Sequence, residues 1–381
     1  MGLAEALELR RHSDYRGALA ALADAARPDE LAARSRLHED FGDFAAARED
    51  ARRSGDPVRL AAVALAERHA DEALALTDGV LCVERAAALE ELMRLDEADA
   101  IYSALPDDDP HVRLGRGNVL RARGAYAAAE TELLTGLGLA EAAYGDWSIE
   151  VAGALNALGM TYKYWGRFDD GRRVYERALE ILLRGFGPEH LDVATIHHNL
   201  GGLEHARRAF DAAEPHARTS VELRRRLLGP EHVAVAEDEA AWAPILHGLG
   251  RDDEARALLE HAIPVISREL GEQHPEVAAA WSNLAATLPD LDAAAAAYRR
   301  ALAAKEAALG PEHPSVAITL NNLGVNARRR GRGDEAEALY RRALEILEPR
   351  VDADHPNLAL TRRNLARLLE ERKTMDGTAV L

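Results

Sequence analysis

The sequence predicts an all-α solenoid, in which antiparallel helix pairs stack one after another along the chain. Two observations carry this prediction. A stretch of the form G-P-E-H-P, followed by N-L-G, is complete at 310–324 and returns at glycines 145, 187, 229, 271 and 310, with Asp352 in the sixth place. The steps between copies are 42, 42, 42, 39 and 42 residues. Recurrence at one long period indicates stacked copies of a single supersecondary unit rather than one closed core.

Residues 310–351 show how one repeat encodes two helices. Pro314 suits the first turn of a helix, where its missing N–H is not needed. Apolar residues between Val316 and Ala327 then recur at i, i+4, i+7 and i+11, which is the spacing of one helical face. Gly331 permits the reversal, and Asp334 places negative charge at the positive end of the second helix.

The small residues of the repeat predict where its helices come closest. We expect the backbones to approach at Gly324 and Ala343, with Leu323 and Tyr340 filling the space beside them. The junction histidines, at positions 190, 232, 274, 313 and 355, are one helical pair apart, too far for shared metal ligation. We therefore expect them to cap the following helix or to pack on the preceding one.

Over 145–373 this pattern resembles the tetratricopeptide repeat (TPR), in the 42-residue variety found in kinesin light chains and many bacterial proteins. The resemblance implies a right-handed superhelix whose first helices line a concave groove in which ligand peptides lie. The last copy has only a first helix, about His355 to Lys373, which is expected to cap the array. Residues 374–381 are expected to form a flexible tail.

Residues 1–144 continue the pattern in a weaker form. Turn-and-helix signatures align at Tyr15, Phe44, Ala70, Leu95 and Tyr126, with spacings of 29, 26, 25 and 31 residues. These spacings are shorter than the standard repeat of about 34 residues. We therefore expect degenerate, short TPR-like helical repeats in this region.

Composition and motifs exclude several functional classes. The net charge of −18 disfavours binding to a nucleic acid backbone. No apolar stretch is long enough to span a membrane, and the acidic start does not resemble a signal peptide, so we expect a cytoplasmic protein. No phosphate-binding loop or nucleophile elbow is present, and Cys82 is the only cysteine. We expect no enzymatic activity, no catalytic residues, no cofactor and no metal site.

The resemblance places the candidate binding residues one and two positions before the Leu of each Leu-Gly pair, and one turn further on. The first set is Asn156, His198, Asn199, Asn283, Asn321, Asn322, Arg363 and Asn364, and the second includes Lys163, His205, Arg328 and Arg367. Asparagine is a poor helix former, so its recurrence at one register needs a reason. Its amide matches the N–H and C=O of an extended peptide. Alternatively, the amides bond neighbouring helices and fix the geometry between repeats.

The leading functional prediction is a protein- or peptide-binding adaptor or scaffold. The basic residues of the expected groove favour a partner segment with acidic residues or a free carboxylate. The alternative is a regulatory TPR protein that changes its compactness when a small signalling peptide binds. The repeat at 229–270 contains Pro244 and Pro264, which predict either a hinge or a fixed bend.

Overall fold

The computed structural model describes residues 2–350 and 356–378, and within these ranges the chain forms 21 α-helices and no β-strand. Two compact units divide the chain, Met1–Arg207 and Arg208–Leu381. The first unit contains α1 (Gly2–Arg11), α2 (Tyr15–Ala21), α3 (Pro28–Asp40), α4 (Phe44–Ser54), α5 (Pro57–Ala66), α6 (Ala70–Leu76), α7 (Val83–Glu91), α8 (Leu95–Ala104), α9 (Pro110–Ala122), α10 (Tyr126–Tyr144), α11 (Ile149–Trp165), α12 (Phe168–Phe186) and α13 (Leu191–Ala206). The second contains α14 (Phe210–Leu228), α15 (Val233–Gly248), α16 (Asp252–Leu270), α17 (Pro275–Thr287), α18 (Leu291–Leu309), α19 (Pro314–Arg329), α20 (Gly333–Leu347) and α21 (Pro356–Thr378).

In each unit the helices pack mainly against their neighbours in chain order, so the predicted fold class, an all-α solenoid of stacked helix pairs, is confirmed. The five positions aligned in 1–144 each begin the even-numbered helix of a pair, from α2 to α10. Helices α1 to α9 span 7 to 13 residues, whereas α10 to α14 span 16 to 19. The change in repeat length expected at 145 lies inside the first compact unit.

The junctions between the long repeats follow one backbone pattern. Their glycines, at positions 145, 187, 229, 271 and 310, have φ values between 83° and 90°, a region that L side chains rarely adopt. The following histidines at 190, 232, 274 and 313 then cap the next helix, since each ring Nδ1 accepts the backbone N–H two residues later, at 3.1 to 3.2 Å. The capping prediction is confirmed for these four, and His355 lies outside the described residues.

The closest helix approach occurs at the predicted small residues. A Cβ atom added to Gly324 would lie 2.7 Å from Cε1 of Tyr340. The same contact occurs four repeats earlier, in the first unit, where a Cβ on Gly159 would lie 2.4 Å from Cε1 of Tyr175. Both tyrosines are fully buried, so the glycine provides the space that each ring occupies.

Prolines inside helices and the end of α21 bear on two of the sequence predictions, the hinge at 229–270 and the flexible tail at 374–381. Pro244 and Pro264 lie inside the continuous helices α15 and α16, and Pro215 lies inside α14. Whether the 229–270 repeat is a hinge or a fixed bend stays a prediction. Helix α21 continues through Thr378, so residues 374–378 of the expected flexible tail are helical. No proline follows Lys373 to end the helix there.

The first unit closes on itself, a feature that a simple array of neighbours does not predict. Helix α1 and the turn after it reach the start of α11: Arg10 Nη1 lies 2.6 Å from Glu150 Oε1, and Ser13 Oγ donates to the Trp147 carbonyl at 3.0 Å. The backbone N–H of Ile149 donates to the Tyr15 hydroxyl at 3.0 Å. We call this set of contacts, together with those of Phe186 described next, the closure contact.

Aromatic rings form the apolar part of the closure contact. Phe186, at the end of α12, has its ring centroid 4.8 Å from that of Tyr15 and 5.5 Å from that of Phe41. The His190 ring stacks on Phe186 at 4.0 Å, and His190 Nε2 lies 2.7 Å from the Asp40 carbonyl oxygen. The helices at the start of the chain are thereby held against the junction between α12 and α13.

Candidate functional site

The predicted binding residues lie on the first helices of the long repeats. In the first unit, α11 carries Asn156 and Lys163, and α13 carries His198, Asn199 and His205. All five side chains are half-buried. In the second unit the remaining candidates lie on α17, α19 and α21, that is Asn283, Asn321, Asn322, Arg328, Arg363, Asn364 and Arg367.

The asparagines connect consecutive first helices. Asn199 Nδ2 donates to Asn156 Oδ1 at 2.7 Å, and Asn364 Nδ2 donates to Asn321 Oδ1 at 2.8 Å. In both pairs the two residues are 43 positions apart. Asn283 Nδ2 makes a longer contact, 3.5 Å, to the backbone carbonyl 43 positions upstream, where the partner repeat lacks an asparagine. The structural alternative, that the amides bond neighbouring helices, is thus observed for these three.

These bonds leave part of each amide for a ligand. An asparagine amide has two N–H donors and an oxygen with two lone pairs, and the Asn199–Asn156 bond uses one donor and one lone pair. The pair also fixes the orientation of both amides. A peptide that bound here would meet donors and acceptors already held in place, which lowers the entropy cost of binding.

A small cavity of about 130 Å³ lies beside the Asn156–Asn199 pair. Ile149, Gly153 and Asn156 of α11, Leu182 of α12 and Ile196 of α13 line it. Sequence reasoning missed this cavity. Its signal is Gly153, one helical turn before Asn156, where an added Cβ would meet no atom within 4 Å. The glycine leaves open a space that the aliphatic residues around it would otherwise have to share with a side chain.

Lys163 lies seven residues, about two helical turns, after Asn156, and its side chain extends toward the next first helix. Its Nζ would be 2.8 Å from a Cβ added to Gly202 of α13, and it lies 5.8 Å from the centroid of the Tyr164 ring. Burial lowers the pKa of Lys163 below its usual value. The lysine therefore places a partly desolvated cation near the amides, where it would strengthen attraction for a carboxylate.

In the second unit the predicted basic lining is partly neutralised. Glu371 of α21 accepts hydrogen bonds from Arg328 Nη1 at 2.9 Å and from Arg367 Nε at 3.0 Å. These hydrogen bonds hold the pKa of Glu371 below its usual value. Arg363 is exposed. The carboxylate between the two arginines was not foreseen, and it reduces the positive charge available to an acidic partner.

The side chain of Asn321 is buried, whereas a residue that contacts a ligand in the groove should be accessible. It is only 5% exposed, its Oδ1 accepts from Asn364, and its Nδ2 donates to Asn322 Oδ1 at 3.4 Å. Asn321, one residue before Asn322, therefore faces the interface between helices. Asn322 itself is half-buried. We therefore retain Asn322 and Asn364, but not Asn321, as candidate contact residues in this unit.

The described residues offer no alternative site of obvious chemistry. Over residues 2–350 and 356–378, no group of three or more His, Cys, Asp and Glu side chains is arranged to hold a metal ion. Over the same residues, no helix is both long and apolar enough to cross a membrane. Cys82 precedes α7 as its half-buried N-cap residue.

Stacked helix pairs, glycine junctions and small-residue contacts define the class of helical repeat proteins. The family model described as tetratricopeptide repeat matches residues 150–226, 239–304, 289–349 and 315–374, which together make up more than half of the chain. The chain belongs to the tetratricopeptide repeat family.

Several solved structures are similar to this chain. BtubC (BKLC) from P. vanneervenii is 22% identical, with a TM-score of 0.49, and the match covers 61% of this chain and 93% of that one. A putative kinesin light chain with nearly identical TPR-like repeats from P. anserina is 21% identical, with a TM-score of 0.43, and the match covers 51% and 93% of the two chains. The apo form of RapI is 13% identical, with a TM-score of 0.48, and the match covers 70% and 99%. No curated protein matches the sequence.

Proposed function

We propose that this protein is a non-enzymatic adaptor that binds an extended peptide segment of a partner protein across its first helices. The observation that carries the proposal is the Asn156–Asn199 pair beside the cavity of about 130 Å³. Amides fixed at 2.7 Å to each other supply directional bonds to a peptide backbone, and the cavity accepts one apolar side chain. Membership of the tetratricopeptide repeat family supports a role in protein interaction.

The chemistry around the pair favours a peptide with one aliphatic anchor and a nearby carboxylate. Ile149, Leu182 and Ile196 form an apolar wall of the cavity, against which a small aliphatic side chain would pack. Asp192 and Thr195 form its polar part. Lys163, about two turns after Asn156, is a cation that burial has partly desolvated. A carboxylate of the peptide would regain an electrostatic contact there. We therefore propose that the acidic partner predicted from the sequence binds in the first unit.

Blocking the cavity provides the sharpest test. Gly153→Leu adds a side chain where a Cβ meets nothing within 4 Å, so it should fill the cavity without a clash. Leucine is also a better helix former than glycine, by roughly 1 kcal/mol, so stability should be kept or raised. Peptides would be selected on the purified native chain from a displayed random library. Their affinity would then be measured by fluorescence anisotropy, and we expect Gly153→Leu to abolish it.

A matched control separates blocking from a general effect of added bulk. Gly138, on α10 of the same unit, is exposed, and an added Cβ there also meets nothing within 4 Å. Gly138→Leu should therefore leave peptide affinity unchanged. The double variant Asn156→Ala with Asn199→Ala should weaken binding by roughly 30-fold, because two lost hydrogen bonds at about 1 kcal/mol each amount to about 2 kcal/mol. Selected peptides that bind Gly153→Leu as tightly as the native chain would disprove the proposed site.

A further inference from the structure

A cavity in the N-terminal part of the first unit lies on the face shared by α1, α3, α5 and α7. Its volume is about 310 Å³, the lower end of the range of roughly 300 to 1,000 Å³ that small-molecule sites occupy. Ala6, Leu7, Ala33, Leu37 and Val58 supply much of an apolar wall. Leu7 is 49% exposed at this wall, so its side chain offers apolar surface to a ligand.

Three arginines, Arg10, Arg36 and Arg59, also line the cavity, and they differ in their partners. Arg10 contacts Asp40 at 3.3 Å and Glu150 at 2.6 Å, so its charge is already balanced. Arg59 forms an ion pair with Glu39, and its Nε donates to Ser35 Oγ at 3.0 Å. Both guanidinium groups are thereby fixed in the wall.

Arg36 differs from the other two, because its guanidinium has no direct contact with a carboxylate of the described residues and acts on Asp40 only through its charge, which lowers the pKa of that carboxyl. Within residues 2–350 and 356–378 it has neither a hydrogen bond nor an ion pair, and its side chain is exposed to the cavity and solvent. Its field reaches the inner groups: after burial, the charge of Arg36 is the largest cause that lowers the pKa of His111 on α9. Arg36 thus combines an open guanidinium with a position at the edge of an apolar cavity.

We propose that this cavity binds a small monocarboxylate with a compact apolar body, its carboxylate held by Arg36 and its body covering Leu7. A planar guanidinium binds a carboxylate through two parallel hydrogen bonds, which the geometry of this free group permits. The carboxylates of Asp56 and Glu84 also line the cavity and repel any anion, a doubly charged phosphate about twice as strongly as a monocarboxylate. The site is separate from the Asn156 cavity, because no residue lines both.

Two sources share this chemistry, a short acyl acid and an aliphatic amino acid. Hexanoate and leucine would each be titrated into the full chain, with binding measured by isothermal calorimetry and by saturation-transfer NMR. Hexanamide serves as a control that lacks the negative charge, and inorganic phosphate serves as a control that lacks the apolar body. We expect saturable binding of at least one of the first two, and none of the last two. Binding of hexanoate alone identifies the acyl source, and binding of leucine identifies the amino acid.

Arg36→Gln tests the assigned residue. This change should lower the affinity for the acid by about tenfold or more, because a charge-assisted hydrogen-bonded pair is lost. Arg16→Gln on α2 is the matched control, since Arg16 is also exposed and outside the cavity. Gly153→Leu should leave this binding intact, which distinguishes it from the peptide site. Failure of both acids to bind, equal binding of phosphate, or an Arg36→Gln affinity equal to that of the native chain would overturn the assignment.

Discussion

Replacing Phe41 and Phe186 with alanine, singly and together, tests the closure contact of the first unit. Phe186 is 8% exposed, and its ring centroid lies 5.5 Å from that of Phe41 with the ring planes at 72°. Removal of a buried phenylalanine costs about 3 to 5 kcal/mol. Phe41 is half-buried, so Phe41→Ala should cost roughly 1 to 2 kcal/mol. An edge-to-face ring pair adds about 0.5 to 1.5 kcal/mol beyond burial, which is the coupling expected from the double-mutant cycle.

The assay combines urea unfolding with hydrogen exchange, because a repeat protein need not unfold in one step. The backbone N–H of Ile149 donates to the Tyr15 hydroxyl, so its protection reports on the closure contact directly. Phe41→Ala should speed exchange at Ile149, more than 100 positions away in the chain. Additive single effects, within about 0.3 kcal/mol, together with unchanged exchange at Ile149 would show that the two regions do not meet in solution.

Four further substitutions test local elements. Burial raises the pKa of Asp40 to about 6, so the native state binds a proton more tightly than the unfolded chain, whose carboxyl has a pKa of about 3.9. The contribution of Asp40 to stability therefore falls as pH rises from about 4 to 6. Relative to the native chain, the free energy of unfolding of Asp40→Asn should rise over that window, by at most about 3 kcal/mol in urea titrations. Gly324→Ala should lower stability by about 1 to 3 kcal/mol through its clash with Tyr340, whereas Gly153→Ala, in open space, should raise it; thermal melts with the opposite order would refute the packing argument. His313→Ala should cost about 1 kcal/mol by removing a helix cap, and an unchanged melting temperature would contradict that role.

The repeat architecture could be predicted because its determinants are local. A glycine with φ near 85°, as at Gly310, and a capping histidine three residues later, as at His313, each act within one junction. The glycine–tyrosine contact of Gly324 and Tyr340 connects two helices separated by a short turn. Such contacts recur wherever the motif recurs, so reading one repeat describes the others.

The candidate site could be predicted only as a set of positions. An asparagine such as Asn199 offers the same amide to a neighbouring helix as to a ligand, so its sequence position leaves both roles open. The hydrogen bond between Asn199 and Asn156 forms because α11 and α13 lie close enough for the two amides to meet. The cavity beside this pair was equally invisible, since it depends on Leu182 and Ile196 from two other helices converging on Gly153.

The closure contact could not be predicted, because it joins residues that look ordinary in their own repeats. Tyr15 occupies the first position of a second helix, like Phe44 or Tyr126. Nothing near it in sequence indicates that its hydroxyl accepts the N–H of Ile149, 134 positions away. Curvature summed over many short repeats brings the two together, and small rotations per repeat are not encoded in any one motif.

The closure contact also provides a link between the proposed acid-binding cavity and the conformation of the first unit. Arg10 lines the cavity and at the same time holds Glu150 of α11, so the cavity wall and the closure contact share one side chain. A ligand that binds the closed form more tightly than an open form must stabilise closure, by RT ln(1 + [L]/Kd) when it binds the closed form alone. Saturating hexanoate should therefore slow hydrogen exchange at Ile149, by about 100-fold at 100 times its Kd. Arg36→Gln should abolish this effect while Arg16→Gln preserves it. If hexanoate binds and exchange at Ile149 stays the same, the cavity persists when the contact opens, and its wall does not depend on closure.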